Sequence, residues 1–424
     1  MIKTPKRKDN KSMAIYRSFR AFRPEKSKQE LIPALPYDVM NSEEARKAVV
    51  GNPYSFLHID KAEIDLPLGT ESYSREVYEK ACENLENLEK TGALIQDSKP
   101  CFYIYKQVMN GRSQTGIVGC ASIDDYMNNI IKKHEHTLAK KEQDRINHVD
   151  ICNANTGPIF LTYRKNEAIG TAVKAWMENN EPVYDFVFDG VNQSVWVIDN
   201  DDTINLIANE FGKIDAMYIA DGHHRCASAV KVGQKRRAAN PNYTGEEEFN
   251  FFLSVAFPDD ELEIMDYNRV VKDLNGKTSD EFIGAISKDF EVEKVSTQFK
   301  PSERHTFGML LCNQWYKLTA KSDIINENDP VERLDVSILQ NNLLSPILGI
   351  DDPKTDERID FIGGIRGLDE LERRCADDMK LAFAMYPTSI DELMSIADAN
   401  LIMPPKSTWF EPKLLSGIFI HHLN

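Results

Sequence analysis

The sequence lacks several features that would assign it to a common class of protein. No stretch approaches the roughly 20 consecutive apolar residues that a transmembrane helix requires. The seven cysteines are odd in number and include no Cys-x-x-Cys pair, which argues against a disulfide framework or a structural zinc site. Residues 1–11 contain no apolar segment of the kind found in secretory signals. We therefore expect a cytoplasmic protein.

The chain also has less positive than negative charge. Its 67 acidic and 51 basic residues give a formal net charge of −16, whereas sequence-independent binding to nucleic acid requires a positive field. A nucleic-acid partner is therefore not expected, although a local basic pocket for a small anion is compatible with this balance. The basic segment 3–11 is interpreted as a solvated terminus, with a nucleic-acid arm as the alternative.

Three signatures of common enzymes are missing. The chain contains no Gly-x-x-x-x-Gly-Lys-Ser/Thr, no Gly-x-Gly-x-x-Gly and no Gly-x-Ser-x-Gly. These absences exclude a P-loop, a Rossmann dinucleotide fingerprint and the usual nucleophile elbow of esterases. Any nucleotide site in this protein must therefore be built in another way.

Length and composition predict a globular protein with more than one domain. The chain has 424 residues, of which 42% are apolar and 28% are charged, and this length exceeds what one ordinary core holds. Predicted helices and strands alternate along it, so we expect an α/β (α+β) fold. We place an N-terminal extension at residues 1–30, a first domain at 31–255 and a second α/β domain at 256–424.

Local patterns predict individual elements of the first domain. Asn41 or Ser42, followed by acidic residues, is typical of a capped helix start. Asn110-Gly111 lies between two apolar runs and predicts a β-hairpin. The other predicted elements are strands at 54–59, 159–163, 216–220 and 251–257, and helices at 71–89, 137–153 and 225–237.

The strongest chemical signal is the segment 220–225, which reads Ala-Asp-Gly-His-His-Arg. It follows a predicted strand and precedes a predicted helix, and Gly222 permits a tight turn that a ligand can approach closely. The start of a helix presents unpaired N–H groups and the positive end of its dipole. His223, His224 and Arg225 add side-chain donors at the same corner. We predict a phosphate-binding site here, and the alternative is an Asp-Gly turn with solvated histidines.

Asp221 does not fit a site that binds only anions. Its carboxylate could cap the following helix, orient one of the histidines, or hold a magnesium ion close to a bound phosphate. The sequence is compatible with each of these roles, and Asp221 is therefore included among the phosphate-binding and metal-binding candidates.

A second group of polar residues begins at His134-Glu135-His136. In extended backbone the two histidines lie on the same side, a spacing that suits a metal ion or a general base beside a substrate hydroxyl. The candidate catalytic residues are Glu135, His136, Glu142 and Asp144, and Glu135 is also a candidate magnesium ligand. The alternatives are a zinc site completed by a third ligand and a solvated helix start without function.

Two segments of the second domain could add contacts to a phosphate. Arg366 lies among three glycines, which is typical of a tight loop near a ligand but also of an ordinary β-turn. Two adjacent prolines stiffen the backbone before Lys406, Ser407 and Thr408, which offer further donors. A rigid loop without a ligand is the alternative for this second segment.

Five segments, taken in order, resemble one protein family. They are Pro36-Tyr37-Asp38-Val39, Asn52-Pro53-Tyr54, His134-Glu135-His136-Thr137, 220–225 and 403–408. The family is domain of unknown function 1015, whose members are also described as ParB-like or SerB-cotranscribed, and the likeness spans nearly the whole chain. The Asp-Gly-His-His-Arg corner alone is similar to a segment of the ParB/sulfiredoxin superfamily, which includes free serine kinases.

The resemblance implies a ParB/sulfiredoxin-like mixed sheet in the first domain. It also implies that Gly222, His223, His224 and Arg225 contact the phosphates of ATP or ADP, with Mg²⁺ as the accompanying ion. A sulfiredoxin-type reductase is not implied, because Cys226 follows this motif instead of lying within it.

Together these features predict a nucleotide-dependent phosphotransferase that acts on a small hydroxyl-bearing metabolite, serine or a relative. Two alternatives stay open: a ParB-like nucleotide-binding regulatory or partition protein without turnover, and a metal-dependent hydrolase that uses His134 and His136. A homodimer is compatible with the sequence. The phosphotransferase hypothesis requires the His134 and His223 segments to meet in space.

Overall fold

The structure is a computed structural model that describes residues 13–424, so the basic segment 3–11 lies outside the described residues. The helices are α1 (Ser42–Ala48), α2 (Leu57–Asp60), α3 (Arg75–Lys90), α4 (Ile123–Met127), α5 (Ala139–Cys152), α6 (Glu167–Asn179), α7 (Asp201–Phe211), α8 (His223–Ala239), α9 (Ser279–Ile286), α10 (Asp335–Leu339), α11 (Gly367–Asp377) and α12 (Ile390–Asp398). The strands are β1 (Tyr16–Arg17), β2 (Phe22–Pro24), β3 (Leu94–Gln96), β4 (Phe102–Met109), β5 (Arg112–Ser122), β6 (Ile131–Lys132), β7 (Ala154–Asn155), β8 (Ile159–Tyr163), β9 (Tyr184–Phe188), β10 (Val191–Ile198), β11 (Met217–Asp221), β12 (Phe251–Pro258), β13 (Ile264–Met265), β14 (Tyr267–Val271), β15 (Phe290–Val295), β16 (Thr306–Leu311), β17 (Gln314–Ala320), β18 (Ile359–Gly363), β19 (Leu381–Ala384), β20 (Trp409–Phe410) and β21 (His421–His422). Each helix of residues 13–424 is too short or too polar to cross a membrane.

The chain divides into two compact units. The first contains the described residues up to Leu262 together with Pro412–Asn424, and the second consists of Glu263–Glu411. The chain therefore leaves the first unit once and returns to it. The domain limits at 255 and 256 rest on sequence patterns alone and stay a prediction.

A mixed sheet forms the centre of the first unit. Its strands run in the order β6-β11-β8-β12-β5-β4-β10-β9, and β1 pairs with β5. The β6–β11 and β8–β12 pairs are parallel, whereas the other neighbours are antiparallel. Helices α4 to α8 follow or precede these strands, so the predicted α/β fold with a mixed sheet is confirmed. A specific likeness to ParB or sulfiredoxin stays a prediction.

Two local predictions are confirmed by the backbone geometry. Asn110 and Gly111 both have positive φ values, of 52° and 81°, which is the conformation of the tight turn that Asn-Gly favours between strands. They join β4 to β5, with Met109 paired to Arg112. Asn41 caps α1 by accepting the backbone N–H groups of Glu43 and Glu44.

One predicted strand is wrong. Residues 54–59 were expected to be extended, but the chain forms the short helix α2 there. Phe56 and Ile59 are fully buried and lie three residues apart, which is a helical spacing. The apparent alternation of apolar residues over so short a segment fits both periods, and burial against the surrounding core selects the helix.

Helices α5 and α8 carry most of the candidate residues of the first unit. Small residues on the buried face of α8, such as Ala227, Ser228 and Gly233, allow close packing. The Ser228 hydroxyl donates a hydrogen bond to the Glu142 carbonyl of α5 at 3.1 Å. This contact fixes the start of α8 next to the first turns of α5.

The second unit is built on an antiparallel sheet of its own. The strands run in the order β15-β17-β16-β19-β14-β18. Val270, Leu310, Leu371 and Ala382 belong to its buried apolar cluster. Strand β14, which carries Arg269, lies between β18 and β19 and is buried along its whole length.

Candidate functional site

The predicted corner is formed by β11, Gly222 and the start of α8. Gly222 has a φ of 90°, in the left-handed region that favours glycine. A Cβ atom at this position would lie 3.1 Å from the Nε of Arg225, so the guanidinium packs directly over the glycine. The first helical hydrogen bond runs from the Cys226 N–H to the Gly222 carbonyl at 2.9 Å. The N–H groups of His223, His224 and Arg225, which precede Cys226, therefore have no hydrogen-bond partner within the helix.

Asp221 lies between two cations at this corner. Its Oδ1 accepts the Gly222 N–H at 2.8 Å, while its Oδ2 lies 3.3 Å from the Nζ of Lys413 and 3.9 Å from the Nη2 of Arg225. Burial alone would raise the pKa of Asp221, but Lys413 and Arg225 outweigh it and hold this pKa well below its usual range. The carboxylate is therefore ionised throughout the physiological range. Sequence analysis missed Lys413, which lies far along the chain.

Arg225 extends from the corner to a small internal cavity. Its Nη1 donates to the Pro158 carbonyl at 2.6 Å. The cavity has a volume of about 20 Å³ and is also lined by Tyr37, Asp60 and Arg145. This volume holds about one water molecule, so a nucleotide does not fit in this cavity.

The two histidine-containing segments meet. The backbone N–H of His134 donates to the Nε2 of His223 at 3.4 Å, and the two imidazole rings pack edge to face with centroids 4.5 Å apart. The Nδ1 of His223 lies 3.9 Å from a carboxylate oxygen of Glu135. The corner and the acid-bearing segment thus lie in direct contact.

His223 and His224 accept backbone hydrogen bonds, which fixes their chemical state. The Nε2 of His224 accepts the Leu138 N–H at 2.9 Å, as the Nε2 of His223 accepts that of His134. Burial lowers the pKa of both histidines, so each is neutral with its proton on Nδ1. They hold the segment 134–138 against α8, and only their Nδ1–H groups are left to act as donors.

His134 is buried without a hydrogen-bond partner for its ring. Its side chain is 2% exposed, and neither ring nitrogen has a partner among the described residues. Burial lowers the pKa of His134 to about 4, against the opposing effect of Asp221. Buried polar groups without a hydrogen-bond partner are rare. The imidazole of His134 is such a group, and the ionised carboxylate of Asp221 acts on it electrostatically.

Two of the predicted catalytic carboxylates are already occupied. Glu142 forms an ion pair with Lys231 and accepts the hydroxyl of Thr137 at 2.7 Å. Burial opposes these contacts, yet together they lower the pKa of Glu142. Asp144 is buried and accepts the Tyr78 hydroxyl at 2.9 Å and the Arg145 Nε at 2.8 Å. Both carboxylates stabilise α5 in this structure, and their catalytic roles stay predictions.

The other two predicted residues of this segment are more accessible. Glu135 has 40% of its side chain exposed, and His136 is exposed. Both lie in a segment without regular structure between β6 and α5. Among residues 13–424, no group of three or more His, Cys, Asp or Glu side chains is placed to hold a metal ion.

The sequence motifs pointed to this region but missed part of its architecture. Arg145 stacks on the ring of Tyr37 at 4.0 Å, next to the cavity that Arg225 reaches. Asp60 accepts the hydroxyl of Thr156 at 3.1 Å on the same cavity wall. Tyr37 belongs to a segment that the family resemblance marked, whereas nothing in the sequence around Asp60 or Thr156 signalled a site.

Four predicted phosphate-binding residues belong to the second unit. Arg366 has 68% of its side chain exposed and lies 3.8 Å from Glu370 on the next turn. The Ser407 hydroxyl donates to the Pro404 carbonyl at 2.6 Å. Lys406 has a positive φ of 59°, and Thr408 is half-buried. Their part in a nucleotide site stays a prediction.

Substituting alanine for Gly222 is expected to destabilise the protein by about 1–2 kcal/mol, because a side chain strains the left-handed backbone. The new methyl group would also displace the guanidinium of Arg225. The matched control is Gly170→Ala in α6, where a Cβ meets nothing within 4 Å and φ is not positive. That change is expected to stabilise the protein by about 0.5–1 kcal/mol. Urea unfolding measures both; equal effects at the two glycines would contradict the geometry of the corner.

The buried His134 is expected to make stability depend on pH. In the unfolded chain its pKa is the ordinary 6.5, and in the folded protein it is about 4. The unfolded state therefore binds more protons in this window, so the free energy of unfolding is complete above pH 6.5 and falls as the pH drops toward 4. The size of this effect is on the order of 3 kcal/mol.

Urea unfolding between pH 4 and 8 tests this expectation with His134→Phe, which keeps an aromatic ring and removes the titrating group. The variant should show a flatter pH dependence below pH 6.5. His305→Gln is the control of opposite sign, because a hydrogen bond to Asp335 raises the pKa of His305. The stability from His305 is present below pH 6.5 and lost as the pH rises. An unchanged slope in His134→Phe would contradict the prediction.

Comparisons with known proteins place the chain in a family. Residues 16–337 match the sequence profile described as "Protein of unknown function (DUF1015)". No curated protein matches the chain. Similar solved structures include a free serine kinase in complex with AMP, with 14% identity, a TM-score of 0.35 and coverage of 70% of this chain and 86% of that one.

Two further structures show the same level of similarity. A conserved hypothetical protein from Pyrococcus furiosus has 13% identity and a TM-score of 0.34, with coverage of 74% of this chain and 97% of that one. SbnI with a C-terminal truncation, from Staphylococcus aureus, has 10% identity and a TM-score of 0.37, with coverage of 70% and 85%. At these scores the structural likenesses carry no argument about function. Because the profile covers well over half of the sequence, the chain belongs to the DUF1015 family, as the five sequence segments that resemble this family predicted.

Proposed function

We propose that the protein is a nucleotide-dependent phosphotransferase whose acceptor is a small hydroxyl-bearing metabolite, with serine as the first candidate. The observation that carries this proposal is the junction of two segments. A helix start with Gly222, Arg225 and Lys413 lies against a segment that supplies an accessible carboxylate, Glu135. Phosphoryl transfer needs hydrogen-bond donors and cations that hold the phosphates, and a carboxylate that faces the acceptor hydroxyl. The two segments supply one of these parts each.

The phosphate side is organised by the start of α8. The N–H groups of His223, His224 and Arg225 precede the first helical hydrogen bond, and they carry the positive end of the helix dipole. Arg225 and Lys413 now neutralise Asp221. On arrival of ATP or ADP, both cations would turn toward the phosphate oxygens, because arginine pairs with phosphate in a planar fork and lysine binds it as a point charge.

Asp221 would then be released to hold Mg²⁺. An ionised carboxylate is the protein ligand that Mg²⁺ prefers, and the remaining ligands are normally phosphate oxygens and water. A single protein carboxylate therefore suffices, and a preformed cluster of protein ligands is not required. The ion would neutralise charge on the transferring phosphoryl group.

Glu135 is the best candidate for the acceptor side. Its carboxylate lies 3.9 Å from the Nδ1 of His223, and 40% of its side chain faces solvent, which leaves it within reach of an acceptor hydroxyl. The acceptor hydroxyl oxygen would form a bond to the terminal phosphorus of the nucleotide. The bond from this phosphorus to the leaving group would break, which releases ADP from ATP or AMP from ADP. Glu135 would take the hydroxyl proton, and the exposed His136 could contact the acceptor.

The direct test is incubation of the purified protein with Mg²⁺, ATP or ADP, and serine, followed by ³¹P NMR. Threonine, homoserine and glycerol serve as parallel acceptors. We expect a new phosphomonoester signal with at least one of them, and its loss in Glu135→Gln. If nucleotide binds but no acceptor is phosphorylated, the phosphotransferase proposal fails and a nucleotide-binding regulator without turnover replaces it.

A further inference from the structure

A second ligand site is indicated in the unit Glu263–Glu411, independently of the function proposed above. A cavity of about 360 Å³ is lined there by the buried Arg269 and by apolar side chains that include Leu344 and Phe361. Cavities of this size lie within the range of small-molecule sites. Gln340 and three charged side chains, those of Asp351, Asp352 and Lys354, complete its polar lining.

Arg269 is a buried cation without an anionic partner. It is 4% exposed, and its Nη2 donates to the Lys406 carbonyl at 2.9 Å while its Nη1 donates to the Tyr267 carbonyl. No carboxylate of the described residues lies within ion-pair distance of it. Burial lowers its pKa to about 10. Isolated charges are costly to bury, and proteins normally pair them.

The guanidinium still has donors to offer. Arginine carries five N–H groups in a planar fork, and two carbonyl contacts leave several of them unused. The group also lies over the ring of Phe361, with 5.4 Å between its central carbon and the ring centroid. This cation–π contact helps to hold the guanidinium at the wall of the cavity.

We propose that this cavity binds a small metabolite through a carboxylate, which Arg269 holds with paired N–H donors. A fork of this shape matches a carboxylate in two parallel hydrogen bonds. Asp351 and Asp352 also line the cavity, and they would repel a phosphate dianion more strongly than a carboxylate, which carries a single charge. The apolar wall suits an aliphatic portion of the ligand.

The probe is butyrate, titrated into the full-length protein and followed by ligand-observed NMR. We expect saturable binding with a Kd of about 1–10 mM, a range appropriate to so small a molecule. Butyramide, which has the same shape without the charge, should bind at least about tenfold more weakly. Inorganic phosphate is the third arm, and preferential binding of phosphate would overturn the choice of a carboxylate.

Two variants test the assignment of the residue. Arg269→Met removes the cation and should abolish butyrate binding while the protein stays folded, because apolar replacement of a buried charge is often tolerated. Lys354→Glu adds negative charge at an exposed lining position and should weaken binding about two- to fivefold, whether or not the first variant folds. Arg373→Gln, an exposed pair with Glu370 in the same unit, is the control. Butyrate binding that is absent in the wild type, or unchanged in both variants, would overturn the proposal.

Discussion

Replacing Arg225 with glutamine is expected to weaken binding of ATP by about 10–150-fold. The Arg225 guanidinium packs over Gly222 and lies close to Asp221 and the Pro158 carbonyl. It is therefore located at the N-terminus of α8. A hydrogen bond to a charged group contributes about 1.5–3 kcal/mol, and each 1.4 kcal/mol corresponds to a factor of ten in Kd. Isothermal titration calorimetry with ATP and Mg²⁺ provides the measurement.

The controls for Arg225 lie on the same helix. Arg236→Gln changes an arginine of the last turn of α8 that pairs with Asp150, and nucleotide affinity should not change. Arg225→Lys keeps the charge but loses the planar fork, so an intermediate affinity is expected. If Arg225→Gln bound ATP as tightly as the wild type, the corner would not be the phosphate site.

Replacing Asp221 with asparagine is expected to separate binding from turnover. The substitution removes the charge that now occupies Lys413 and Arg225, so ATP should bind as well as before or more tightly. The proposed Mg²⁺ ligand is lost at the same time. We expect kcat to fall by about 10²–10³-fold, the effect typical of losing one electrostatic contact in the transition state.

The measurement for Asp221 is the rate of phosphomonoester formation at saturating ATP, alongside the Kd for ATP. Asp150→Asn is the matched control, because this half-buried carboxylate pairs with Lys235 and Arg236 and has no part in the proposed reaction. A fall in ATP affinity with unchanged kcat would reverse the roles assigned to this residue. It would mean that Asp221 supports the fold of the corner and not the chemistry.

Sequence patterns predicted the local parts of this site well. The strand, glycine turn and helix at 217–239 follow from short-range rules, because each element has its own backbone signal. The hairpin at Asn110-Gly111 was predictable for the same reason. The strand expected at 54–59 was wrong, because a segment of six residues is too short to distinguish the apolar periodicity of a strand from that of a helix. The burial of Phe56 and Ile59, which selects the helix, is a property of the tertiary fold.

The contacts between distant segments could not be predicted from one sequence. Lys413 pairs with Asp221 across 192 positions, and no local pattern marks a lysine as the partner of a particular carboxylate. The histidines illustrate the same limit. The sequence suggested His223 and His224 as hydrogen-bond donors to a phosphate without fixing their charge, and burial and the backbone N–H groups of His134 and Leu138 keep them neutral. Protonation state depends on the environment, which only the folded chain supplies.

The return of the chain to the first unit has a consequence for biosynthesis. Pro412–Asn424 joins that unit after the whole of Glu263–Glu411, and it contributes Lys413 and strand β21, which pairs with β7. During translation, the first unit therefore lacks strand β21 and the cation Lys413 until the inserted unit has been translated. A nascent chain stalled before Pro412 would carry Asp221 without Lys413. The candidate site is thus completed only after the inserted unit has been translated.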